Sequence, residues 1–191
     1  MNKIIGILGM QGAIVEHQEI LLQIPHTKTR IVKTAKDLDC IDGLILPGGE
    51  STAIGKLLDY FSLKEILRQK IISGLPVFGT CAGLILLAKN IENQTNTHLA
   101  TMDITVKRNG YGSQLDSFST NLLIPTIDKN MPIPLVFIRA PYITKTDKDV
   151  QILATLDNKI IAARQKNMLV SSFHPELTND LRFHQYFLSM I

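Results

Sequence analysis

Short apolar runs that end at glycine and hand over to helical spacing recur through residue 90, and no other feature narrows the possible folds as far. Lys3 to Gly9, rich in Ile, leads through Gln11, Gly12 and Ala13 into a helical pattern that reaches Leu22. Thr29 to Lys33 and Asp42 to Leu46 read as further strands, the latter stopped by Pro47, Gly48 and Gly49. Ser51 or Thr52 can cap a helix through Tyr60, and a second helical pattern runs from Leu63 to Ile72. Pro76 to Gly79 is again compact and apolar, with Leu84 to Lys89 at helical spacing beyond it. Strand alternating with helix implies a parallel sheet covered on both faces, whose sites gather at the carboxyl ends of the strands. Function is therefore expected just after Gly9, Leu46 and Gly79.

Beyond Leu99 the spacing changes to period two, in Ile104 to Lys107, Leu135 to Ile138, Val150 to Leu156, Lys159 to Ala163 and Met168 to Phe173, before a closing helix from Asp180 to Met190. The expected fold is α/β, one domain over residues 1–191 with a mixed, mostly parallel central sheet. At 191 residues the chain can bury about 70% of the surface its unfolded form exposes, enough for one sizeable core.

Charge excludes some functions. The net +3 comes from scattered residues with no basic stripe, so nucleic acid is a poor partner. No apolar run approaches the ~20 residues that span a bilayer, and the chain reads as cytoplasmic. The five histidines and two cysteines lack metal-ligand spacing, so no metal is assigned.

The chemistry concentrates at Cys81, flanked by Gly79 and Gly83 where a strand turns sharply into a helix. Helix N–H groups beginning near Ala82 face the thiol and favour negative charge there. A small buried cysteine remains the competing reading, and Cys40, in a short loop, receives it. A nucleophile needs a base and a group to orient that base. His174 and Glu176, two apart in an extended segment, project to one side and can pair, with Pro175 stiffening the spacing. Gly48 and Gly49 offer backbone N–H groups for an oxyanion hole. A phosphate-binding loop does not fit, because Gly55 lies one residue too far from Gly49 and Leu57 stands where Ser or Thr is required.

Together the Pro-Gly-Gly turn, the Gly-x-Cys-x-Gly elbow and the late His-Pro-Glu resemble the class I (triad) glutamine amidotransferases, whose fold is flavodoxin-like. Gln11 to Ala13 with Glu16 and His17, PGGEST (Pro47 to Thr52), GTCAGL (Gly79 to Leu84), Arg108 with Asn109, FIRAP (Phe137 to Pro141) and SFHPELT (Ser172 to Thr178) look like the glutaminase subunits of pyridoxal 5'-phosphate synthase. The likeness spans nearly the whole chain. It implies that Cys81, His174 and Glu176 hydrolyse L-glutamine, and that the ammonia passes to a separate synthase subunit, in a large hetero-oligomer, which builds the cofactor from a pentose phosphate and a triose phosphate. It implies further that Gly49, Glu50, Ser51, Arg108, Ile138 and Arg139 bind glutamine, and that Gln11, Glu16 and His17 lie at the partner contact. One departure is Ser113, within Asn109 to Gln114, where the family usually carries an arginine. A stand-alone cysteine hydrolase of similar fold and an idle regulatory subunit are the competing functions.

Overall fold

A computed structural model describes residues 2–110 and 117–191; Ser113 lies outside them. The expected alternation is present as β1 (Lys3–Leu8), α1 (Ile14–Leu22), β2 (Thr27–Val32), β3 (Gly43–Leu46), α2 (Ser51–Tyr60), α3 (Lys64–Ile72), β4 (Val77–Thr80) and α4 (Ala82–Leu87). The second half supplies β5 (Ala88–Ile91), β6 (Met102–Lys107), β7 (Ser117–Leu122), β8 (Ile133–Ile138), β9 (Tyr142–Thr146), β10 (Gln151–Leu156), β11 (Lys159–Gln165), β12 (Met168–Ser171) and α5 (Arg182–Leu188).

The main sheet runs in the order β2-β1-β3-β4-β12-β11-β9-β6-β5, with β10 paired to β11. From β2 to β12 the pairing is parallel, and β11 then runs antiparallel to β12. β7 and β8 form a separate antiparallel ribbon. Successive residues of the central strands face opposite cores, as a period of two demands. Leu44 and Leu46 of β3 and Val77 of β4 join the core under α2, α3 and α4, whereas Ile45 and Phe78 join the core under α1 and α5. That second core is aromatic, with Phe78 stacked on Phe183 at 5.7 Å and Phe173 edge-on to Phe183 at 5.0 Å.

Three local expectations change. The cap of α2 is Glu50, whose side chain accepts from the Thr52 N–H at 3.1 Å, rather than Ser51 or Thr52. The helix expected through Lys89 ends at Leu87, because Ala88 pairs with Met102 and starts β5. His174, Pro175 and Glu176 are not an extended segment: β12 ends at Ser171, and Pro175 opens a 3-10 turn, Pro175–Leu177. Proline suits that first helical position, where its missing N–H leaves nothing unpaired.

Candidate active site

Cys81 joins β4 to α4 with φ 48° and ψ −97°, a conformation L residues rarely adopt. Its N–H donates to the Ser171 carbonyl at 2.8 Å, which fastens the elbow to β12. The flanking glycines are required by contact. A methyl group on Gly83 would stand 2.1 Å from the Leu46 carbonyl oxygen, and one on Gly79 would stand 2.6 Å from the Gly83 backbone.

The turn after β12 brings His174 and Glu176 to the same place. The His174 N–H donates to the Val136 carbonyl of β8 at 2.8 Å, and its Nδ1 lies 2.7 Å from Glu176 Oε1. Cys81 and Glu176 both favour the charged form of the His174 ring, which lies close to each of them. Burial disfavours the imidazolium, but the interactions with Cys81 and Glu176 outweigh it and raise the His174 pKa to about 10. Burial likewise works against the Glu176 carboxylate, and the histidines on either side, His17 and His174, hold its pKa below the usual value.

The Pro47-Gly48-Gly49 turn lies against this pair: a Cβ on Gly48 would meet His174 Cε1 at 2.4 Å and Cys81 Cβ at 3.5 Å. The Gly48 carbonyl accepts from the Ala13 N–H at 3.0 Å. In a trans peptide the Gly49 N–H therefore points away from Ala13. Gln11 Oε1 accepts from the Glu50 N–H at 2.8 Å, a second tie between the β1–α1 loop and the turn.

One cleft of about 450 Å³ collects Cys81, His174, Gly48 and every residue expected to hold glutamine: Gly49, Glu50, Ser51, Arg108, Ile138 and Arg139. Arg108 Nη2 pairs with Glu50 Oε1 at 3.0 Å and its Nη1 donates to Thr52 Oγ1 at 3.2 Å, so that guanidinium is aimed by α2. The buried Ser51 hydroxyl has no hydrogen-bond partner among the described residues. Arg139 is exposed at φ 43°, and the Ile138 carbonyl lies 4.0 Å from the Cys81 sulfur. Ile85 and Leu177 also line the cleft and escaped the sequence reading. Their spacing pointed there: Ile85 is one helical turn past Cys81, and Leu177 follows Glu176.

Gln11 and Glu16 are exposed on the cleft rim. His17 is not a surface residue. It sits on the inner stripe of α1 with Ile20 and Leu21 and is fully buried, with Nε2 3.5 Å from Glu176 Oε2. Among the described residues no cluster of three or more His, Cys, Asp or Glu side chains could hold a metal, and no helix is long and apolar enough to cross a membrane.

The chain is similar to known proteins along nearly all of its length. Over 189 residues it is 53% identical to a pyridoxal 5'-phosphate synthase subunit PdxT of Ruminiclostridium cellulolyticum, covering 99% of this chain and 100% of that protein. It is 55% identical over 184 residues to a PdxT subunit of Clostridium botulinum, covering 96% and 95%. A crystal structure of a glutamine amidotransferase superposes with a TM-score of 0.90 at 39% identity, covering 97% of each chain. The structure of PurLQS from Thermotoga maritima, at a TM-score of 0.73 and 15% identity over 99% of each chain, shares the fold. Residues 7–191 match the model of the SNO glutamine amidotransferase family. With Cys81, His174 and Glu176 gathered on this fold, the chain belongs to the SNO glutamine amidotransferase family.

Proposed function

We propose that the chain hydrolyses L-glutamine to L-glutamate and ammonia, and supplies the ammonia to a partner synthase subunit that makes pyridoxal 5'-phosphate. The observation that carries the chemistry is His174, paired with Glu176 and set beside Cys81 in one cleft built at strand ends. The partner follows from the relatives, which are named as subunits of that synthase.

With His174 protonated at neutral pH, the sulfur attacks the side-chain amide carbon as a thiolate and forms a tetrahedral oxyanion. A backbone N–H of the Gly48–Gly49 turn stabilises that oxygen. His174 gives its proton to the departing nitrogen, ammonia leaves, and a γ-glutamyl thioester remains. The neutral ring then takes a proton from water as the hydroxide adds to the thioester, and collapse returns the thiolate and glutamate. Glu176 keeps the ring aligned and favours its charged form in both halves. Arg108 and Arg139 suit the substrate's α-carboxylate, and the Glu50 carboxylate and Ser51 hydroxyl suit its α-ammonium. Gln11 and Glu16 would meet the partner in a large hetero-oligomer in the cytoplasm, and the chain itself needs no cofactor.

The test is glutamate release from glutamine, with and without added synthase subunit, for the wild type and Cys81→Ala. Activity that requires Cys81, together with covalent trapping of Cys81 by a glutamine-like electrophile, is the expected result. Turnover undiminished in Cys81→Ala would remove the proposal.

A further inference from the structure

α1 and α5 each place a histidine on the buried stripe, and the fold sets both behind Glu176. His17 and His184 are completely buried. His17 Nδ1 lies 3.0 Å from His184 Nε2, and His17 Nε2 lies 3.1 Å from Thr80 Oγ1 and 3.5 Å from Glu176 Oε2. That carboxylate oxygen is buried and has no hydrogen bond of normal length among the described residues, while Oε1 is occupied by His174. The nitrogen of His17 is thus the polar group that faces Oε2.

Hydrogen-bond accounting fixes the direction of the chain. Two histidine nitrogens 3.0 Å apart need one N–H and one lone pair. If His184 Nε2–H donates to His17 Nδ1, then His17 Nε2–H points at Thr80 and Glu176, and only a lone pair on His184 Nδ1 is left unpartnered. The reverse would bury an orphaned N–H on His184 and turn a lone pair of His17 toward a carboxylate, so the first arrangement wins. Burial keeps both rings neutral, lowering the pKa of His17 and taking that of His184 to about 3. The groups facing Glu176 are therefore His174 on its own turn with Cys81 beyond it, His17 of α1 with exposed Glu16 beside it, neutral His184 of α5 behind His17, and the uncharged Thr80 of β4.

We propose that His17 is a positioning residue for glutamine hydrolysis: its Nε2–H, aligned by His184, faces the second oxygen of Glu176 and keeps that carboxylate ionised and turned toward His174. The inference rests on the glutaminase reading, and it extends the row of polar side chains behind Cys81 from His174 and Glu176 through His17 to His184 of α5.

The experiment measures the rate at which iodoacetamide alkylates Cys81 in the full chain as a function of pH, beside kcat and KM for glutamine with the synthase subunit present. In His17→Leu, Glu176 protonates more readily. The acid limb of the alkylation profile should then rise by about one pH unit and kcat fall about tenfold, the equivalent of one unit, with KM unchanged. His17→Gln, whose amide nitrogen can reach the place of Nε2, should recover most of both. His184→Leu, which removes the donor that aligns His17, should shift the limb the same way by less, and it serves as the test if His17→Leu fails to fold. Wild-type pH profiles in His17→Leu or in His184→Leu, or a His17→Gln no better than His17→Leu, overturn the proposal. Alkylation needs no glutamine, so it still decides the role of His17 if the wild type releases no glutamate, a result that would instead remove the glutaminase reading.

Discussion

At the residue scale, Glu176 is buried between His174 and His17, and a neutral isostere there separates charge from shape. Glu176→Gln should lower kcat by about a hundredfold, within the range general acid–base positioning supplies, and less than Cys81→Ala. A loss equal to that of Cys81→Ala in a glutamate-release assay would give Glu176 a further role. The arginines should behave differently. Arg108→Ala or Arg139→Ala removes a charge-assisted bond worth about 1.5–3 kcal/mol, so KM for glutamine should rise roughly tenfold to hundredfold with kcat little changed. Unchanged glutamine dependence in both variants would return them to surface charges. Two short motifs made the triad residues legible, since GTCAGL and SFHPELT carry all three. His17 was misplaced because what it touches comes from the far end of the chain: Glu176 and His184 reach it only through folding. Its burial had a sequence signal, the i, i+3, i+4 stripe of His17, Ile20 and Leu21, but a histidine interrupts an apolar pattern.

At the scale of elements, what the sequence showed depended on how each element is buried. The strands β1, β3, β4 and β12 are apolar on both faces and stood out as runs. β7 (SFSTNL) escaped notice because it is rich in hydroxyl residues and presents no buried side chain, and β9 is short and half polar. Every residue of α4 is buried, so its sequence has no polar face to mark where helix gives way to β5. The same tight packing places the nucleophile. Since a methyl group on Gly83 would run into the Leu46 carbonyl, Gly83→Ala must push α4 off β3 and move Cys81 with it. Overpacking of this kind costs about 1–3 kcal/mol. Urea unfolding should show that loss together with a fall in glutaminase rate; a variant as stable and active as the wild type would mean the elbow tolerates the shift.

For the whole molecule, the buried histidines couple folding to acid. The folded chain holds His184 neutral down to a pKa of about 3, whereas the unfolded chain takes up that proton near pH 6.5. Stability from this group is complete above pH 6.5 and declines as pH falls toward 3, by about 1.4 kcal/mol per pH unit, with His17 and half-buried His98 adding in the same direction. His174 is protonated in both states below pH 6.5 and does not offset it. Urea unfolding between pH 6.5 and 5 should show this decline and a shallower one in His184→Leu; equal slopes would place the acid sensitivity elsewhere. The same region connects the site to the outside. The exposed β1–α1 loop holds the Pro47-Gly48-Gly49 turn through two bonds, the Ala13 N–H to the Gly48 carbonyl and the Glu50 N–H to Gln11. Glycines let that peptide plane turn, so a partner that presses on Gln11 and Glu16 would govern whether an N–H faces the developing charge. The isolated chain should therefore hydrolyse glutamine slowly and accelerate when the synthase subunit is added, while Gln11→Ala, with one of the two ties cut, should respond less. The measurement is glutamate release against partner concentration. A chain already at full rate alone, or a Gln11→Ala variant activated as fully as the wild type, would show that the loop does not control the turn.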